Sequence, residues 1–189
     1  MKRIVFMGTP QFAVTTLKEL VKAGFQIVGV VTAPDRPAGR GQQPRASAVK
    51  QYSLDRDLKI MQPTNLKNPE FIAELSELNA DLFIVVAFRM LPEAVWKMPP
   101  LGTINLHASL LPQYRGAAPI NWAIMNGETE TGVTTFFIRQ EIDTGDLLHT
   151  ESVTISENMN AGQLHDVLME VGAKLMVRTV IDVFTGKYK

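Results

Sequence analysis

The sequence contains no cysteine. That excludes disulfides, thiolate metal ligands and a cysteine nucleophile. It also lacks a charge excess: Lys+Arg and Asp+Glu are both 19, for a formal net charge of zero. A global electrostatic grip on nucleic acid is therefore not indicated, although a local basic patch remains open. Long hydrophobic runs are missing as well. The first, Ile4-Val5-Phe6-Met7, stops at Gly8, too short for a signal-peptide core or a membrane span. The expectation is a cytoplasmic protein with no membrane partner. Neither Gly-x-Gly-x-x-Gly nor a P-loop occurs, so no NAD and no bound ATP are expected.

What is present is a chain of 189 residues, 46% hydrophobic and 20% charged, the balance of an ordinary single domain with a real core. Ile4 to Met7, Ile27 to Val31, Asp81 to Ala87 and Gly102 to Leu106 read as buried strands, with a short one around Lys59-Ile60-Met61. Helical patterns run from Pro10 to Gly24, Ala46 to Asp57 and Pro69 to Leu78. Apolar strands alternating with helices predict a Rossmann-like, doubly wound α/β fold with a mostly parallel sheet. After Ala117 to Asn126, a further helix, the character changes. Gly132 to Ile138 and Leu147 to Ile155 predict an antiparallel strand pair, and Asn160 onward predicts a C-terminal amphipathic helix ending near Gly186.

Residues i and i+2 of a strand share a face. Asn105 and His107 therefore point the same way at a strand end, just before a turn closed by Pro112 and Gly116. Ligands of open α/β sheets bind beyond such strand ends. An imidazole can move protons near neutral pH, and an amide can stabilise a developing oxyanion. A carboxylate to orient the ring is the missing part. Asp143 is the candidate, although Asp143-Thr144-Gly145 also fits an ordinary turn; spacing leaves both readings open. Pro34 to Arg45 reads as a long loop with Arg36, Arg40 and Arg45, either solvated or a phosphate-contacting patch. Gly8-Thr9-Pro10 reads as a tight strand-to-helix turn. His149 and His165 lack metal-ligand spacing and are taken as structural, and Trp96 and Trp122 as packing residues.

Asn105-Leu106-His107, Ser109 to Gly116 and Thr131-Gly132-Val133-Thr134 together resemble the signature segments of the formyltransferase superfamily. That superfamily includes glycinamide ribonucleotide and sugar-nucleotide enzymes and formyltetrahydrofolate hydrolase domains. Pro34 to Gly41, Ile142 to Asp146 and Arg115 to Ile120 narrow the resemblance to the catalytic domain of the methionyl-tRNA formyltransferase family, over essentially the whole chain. The family commonly reads Ala-Tyr-Gly where this chain has Ala87-Phe88-Arg89, and Gly where it has Ala108.

The resemblance implies transfer of the formyl group of 10-formyltetrahydrofolate to the α-amine of methionyl initiator tRNA, a step in translation initiation. It implies Asn105, His107 and Asp143 as the catalytic triad, with Asn105 and protonated His107 stabilising the oxygen of a tetrahedral intermediate. Ser109, Leu110, Leu111 and Pro112 are the tetrahydrofolate-contacting segment. Arg40, with Arg36 as a second candidate, engages the tRNA acceptor stem. No metal is expected, and the expected form is a monomer. Residues 1–189 are expected to be the catalytic domain, without the family's C-terminal β-barrel tRNA-binding domain. The alternatives are a sugar-nucleotide formyltransferase, which the arginine-rich loop speaks against, and a catalytically weak folate-binding module.

Overall fold

Burial on both faces decides which segments become central strands. In the computed structural model, which describes residues 1–38, 43–141 and 143–188, Ile4, Val5, Phe6 and Met7 are wholly buried and form β1 (Arg3–Gly8). The later apolar run forms β6 (Leu82–Val86), buried throughout. With β2 (Gln26–Val31), β5 (Ile60–Met61), β7 (Thr103–His107), β8 (Glu130–Phe137) and β9 (Leu147–Thr154), these strands make one seven-stranded sheet in the order β5-β2-β1-β6-β7-β8-β9.

The chain divides into two compact units. Unit 1 comprises residues 1–14 and 24–103. Within it β1 pairs parallel with β2 and β6, and β2 with β5. The helices α2 (Ala48–Leu54), α3 (Pro69–Glu77) and the short α4 (Glu93–Trp96) belong to it; α4 has no counterpart in the sequence reading. The segment read as a loop is in part a hairpin, β3 (Arg36–Ala38) against β4 (Gln43–Arg45). Pro37 lies opposite Pro44. Both lack an N–H, so they occupy a non-hydrogen-bonded pair and leave the flanking pairs to close the ladder.

Unit 2 comprises residues 15–23 and 104–189. Here β7 pairs antiparallel with β8, and β8 with β9, so the antiparallel part is larger than the single expected pair. The helix α6 (Ala161–Thr185) starts at a capping box between Asn160 and Gln163 and stops at Gly186, whose φ is 68°. Its buried face carries Leu164, Leu168, Leu175 and Val183. A Cβ on Gly172 would sit 2.8 Å from Leu106 Cδ2, and Thr179 Oγ1 lies 2.8 Å from Thr135 Oγ1. Since α6 covers the Leu106 face of β7, alternation sends Asn105 and His107 to the opposite face. The helix α5 (Pro119–Met125) begins two residues later than expected because Ala118 is left-handed, at φ 55°. Trp122 of α5 is 48% exposed. It is not the packing residue the sequence suggested, because α5 is short and buries only Ala123. Among the described residues no helix is long and apolar enough to cross a membrane.

Candidate active site

His107 is the last residue of β7 and is buried, with 7% of its surface exposed. Its register partner is Thr134, as Phe136 is for Asn105, so Asn105 and His107 share one face of the β7–β8 ladder. Among the described residues no hydrogen bond engages the Asn105 amide, so it can donate to a ligand.

The imidazole is held from two sides. Nε2 lies 2.7 Å from the Tyr114 carbonyl oxygen. A carbonyl can only accept, so Nε2 carries the proton. Nδ1 lies 3.6 Å from Asp143 Oδ2, close enough for electrostatic contact and too long for a direct hydrogen bond. The two side chains are 9% and 11% exposed.

Asp143 is presented from the β8–β9 connection with a left-handed backbone, at φ 51°. Its Oδ2 accepts a 2.8 Å hydrogen bond from the Gly116 N–H. Asp143 therefore occupies a turn and also sends its carboxylate to another loop. Gly145 makes the turn possible, since a Cβ there would meet the Phe137 carbonyl oxygen at 1.5 Å. Behind it the Phe137 N–H reaches the Asp146 carbonyl at 3.0 Å.

The segment after β7 is tied to β8. Thr134 Oγ1 donates to the Ser109 carbonyl at 2.7 Å and accepts from the Leu111 N–H at 3.2 Å. Ser109 is fully buried, and its hydroxyl donates to the Gln113 carbonyl at 2.6 Å. Leu111 is buried and Pro112 exposed, joined by a cis peptide. Leu110 lies over Gly132, where a Cβ would come within 2.6 Å of its Cδ2. The sequence reading placed Tyr114 and Gly116 in the turn after β7 but missed their contacts with His107 and Asp143. Both act through backbone atoms, which no side-chain pattern reveals.

Unit 1 carries the arginines of the β3–β4 segment. Arg36 lies directly opposite Arg45 in the hairpin, and both are exposed. Arg40 lies outside the described residues, as does Ile142. Asp35, the one acidic residue of this segment, is already engaged by Lys50 at 2.7 Å and Gln62 at 2.8 Å. Those two hydrogen bonds hold its carboxyl below the usual range. At the end of β6, Ala87 is left-handed at φ 48°. Arg89 donates to the carbonyls of Pro63 at 2.8 Å and Thr64 at 3.2 Å, and its guanidinium lies 5.0 Å from the Phe88 ring centroid. Burial and, secondarily, the charge of Arg36 lower its pKa. His149 and His165 bond Asp182 and Asp166 respectively. Among the described residues no group of three or more His, Asp or Glu could hold a metal ion.

Residues 1–180 match the family described as formyl transferase. The chain belongs to that family. The methionyl-tRNA formyltransferase of Bacteroides fragilis is 58% identical over 187 residues, covering 99% of this chain and 58% of that protein. The Flavobacterium johnsoniae protein of the same name is 61% identical over 178 residues, covering 94% of this chain and 56% of that one. The chain thus spans less than two thirds of the length of these curated relatives. Among solved structures, a phosphoribosylglycinamide formyltransferase from Anaplasma phagocytophilum superposes with a TM-score of 0.83 at 20% identity, covering 100% of this chain and 89% of that one. The N-formyltransferase from Helicobacter canadensis, in complex with folinic acid and dTDP-3-aminofucose, gives 0.76 at 23% identity, covering 100% and 66%. These structural likenesses establish a shared formyl transferase fold, Rossmann-like with a mostly parallel sheet.

Proposed function

We propose that this chain transfers the formyl group of 10-formyltetrahydrofolate to the α-amine of methionyl initiator tRNA. The observation that carries the chemistry is the approach of His107 Nδ1 to Asp143 Oδ2, 3.6 Å apart, on the face that also bears Asn105. The choice of acceptor is supported by identity. Relatives named methionyl-tRNA formyltransferase share 58% and 61% with this chain, whereas the sugar and phosphoribosylglycinamide enzymes share 23% and 20%.

In this reading the neutral amine attacks the formyl carbon, forming a C–N bond and a tetrahedral centre. Asn105 donates an amide N–H to the oxygen that gains charge, and protonated His107 donates from Nδ1. Preorganised donors of this kind are often the largest single contribution to such a reaction. Asp143 holds the ring in register and receives the proton that the attacking nitrogen loses. The bond to N10 then breaks, and N10 takes up a proton through the same groups. The products are N-formylmethionyl-tRNA and tetrahydrofolate. Leu110 and Pro112 offer side-chain surface to the donor. Ser109 and Leu111 contribute mainly by shaping the turn, since both are buried. Arg36, with Arg40 and Arg45, contacts acceptor-stem phosphates. The working form is taken as a monomer in the cytoplasm, which sedimentation and cell fractionation check.

The deciding experiment runs charged initiator tRNA beside an amino-sugar nucleotide, with the same formyl donor. Formylation of the tRNA supports the proposal. Transfer to the sugar, or donor binding with transfer to neither, overturns it.

A further inference from the structure

His107 has two ring nitrogens, and only one can meet a substrate. The structure distinguishes them. Nε2 is committed to the Tyr114 carbonyl at 2.7 Å, while Nδ1 makes no direct hydrogen bond among the described residues and faces Asp143 across 3.6 Å. In a neutral imidazole the nitrogen that faces a carbonyl must carry the proton, because a carbonyl only accepts, and the other nitrogen is left without one. The carbonyl that sets it here belongs to a residue with unusual backbone: Tyr114 is left-handed at φ 55°. A non-glycine residue keeps that conformation only where its surroundings hold it.

The hold is visible. The Tyr114 hydroxyl donates to Glu128 Oε1 at 2.5 Å and accepts from Asn126 Nδ2 at 2.9 Å. Asn126 caps the end of α5, and Glu128 follows it. The Glu128 bond keeps the proton on the phenol and raises its pKa, against a smaller opposing donation from Asn126. Two residues further on, the Gly116 N–H holds the Asp143 carboxylate at 2.8 Å. A single stretch, with Arg115 between its two contacts, therefore fixes both partners of the His107–Asp143 pair, and the phenol is its anchor.

We propose that Tyr114 is a positioning residue for His107. Its carbonyl fixes the Nε2–H tautomer and leaves Nδ1 as the working nitrogen, and its phenol, held by Glu128 and Asn126, keeps that carbonyl in place. The catalytic consequence rests on the formyl-transfer reading given above; the tautomer does not.

The chain has only three histidines, so 15N-histidine labelling and long-range proton–nitrogen correlation spectra can read each ring. At a pH where the rings are neutral and without any substrate, His107 should show the Nε2–H form. Tyr114→Phe and Glu128→Ala should mix the two tautomers. Each should lower the kcat of formyl transfer about tenfold or more, the scale expected for a small misplacement of a reacting group, with the KM for the donor within about twofold. Glu128→Gln keeps an acceptor and should restore both tautomer and rate. Thermal unfolding of each variant separates this from loss of fold. A wild-type His107 in the Nδ1–H form, or folded Tyr114→Phe and Glu128→Ala variants with unchanged tautomer and kcat, overturns the inference. A preserved tautomer pattern in a chain that does not formylate methionyl-tRNA leaves the positioning of the ring standing and removes only the proposed reaction.

Discussion

Asp143, from the β8–β9 connection, and His107, at the end of β7, come from separate parts of unit 2, yet Asp143 Oδ2 ends 3.6 Å from His107 Nδ1 while bonded to the Gly116 N–H at 2.8 Å. The carboxylate is thus placed by a backbone donor and not by the imidazole it faces. Its position should therefore survive changes at His107, so the two residues can be tested separately. Asp143→Asn keeps the shape and an oxygen for Gly116 but loses the charge. Single-turnover formyl transfer should fall about a hundredfold or more, the scale of removing one preorganised group. The circular dichroism spectrum should be unchanged. Near-normal turnover in a folded Asp143→Asn would remove Asp143 from the chemistry.

Asn105→Ala removes the donor proposed for the oxyanion without disturbing a described hydrogen bond. The expected result is a kcat about a hundredfold lower with little change in donor affinity, read by steady-state kinetics and by donor titration. A large loss of donor affinity with kcat preserved would instead assign Asn105 to ground-state binding.

Gly145→Ala places a methyl where only 1.5 Å separates it from the Phe137 carbonyl oxygen. The β8–β9 connection must shift, taking Asp143 with it. Overpacking of this kind costs about 1–3 kcal/mol, so both the unfolding midpoint and activity should drop. Gly162→Ala is the control, since its Cβ meets only Asn160 Oδ1, at 3.3 Å. Equal stability of the two variants would show that the connection has slack.

Arg36→Ala and Arg45→Ala should each weaken methionyl-tRNA binding and reduce the slope of log affinity against log salt by ~1, the signature of one phosphate contact. Arg40→Ala belongs to the same series. Formyl-donor hydrolysis should not change. If hydrolysis falls as much as tRNA use, these arginines serve folding or the donor.

Asn160→Ala removes one half of the capping box on α6, the side-chain oxygen that accepts from the Gln163 N–H, and keeps the backbone N–H that donates to Gln163 Oε1. Chemical denaturation should show a loss of about 1 kcal/mol, with the activity per folded molecule intact.

The strands β1 and β6 were legible because both faces are buried and the apolar run is continuous. So was α6, whose cap, period and terminal glycine agree. The shared face of Asn105 and His107 followed from strand alternation alone, whereas Asp143 was a candidate that spacing left open and only the family resemblance chose, because spacing does not encode contacts between distant segments. The hairpin of β3 and β4 was hidden by Pro37 and Pro44, which read as loop residues until one faces the other. The exposure of Trp122 was hidden because composition cannot tell which side of a seven-residue helix meets the core. Tyr114 left no trace because its contact with His107 is made by a carbonyl every residue possesses.

The opposition of Arg36 and Arg45 across β3 and β4 has a thermodynamic corollary. Like charges at facing strand positions repel and weaken the pairing that brings them together. An anion lying across both neutralises that repulsion. By reciprocity, whatever the paired hairpin adds to phosphate affinity, phosphate returns to the pairing of the hairpin. Inorganic phosphate or a short RNA should therefore slow amide exchange in the paired strands, and high salt alone should do part of the same work.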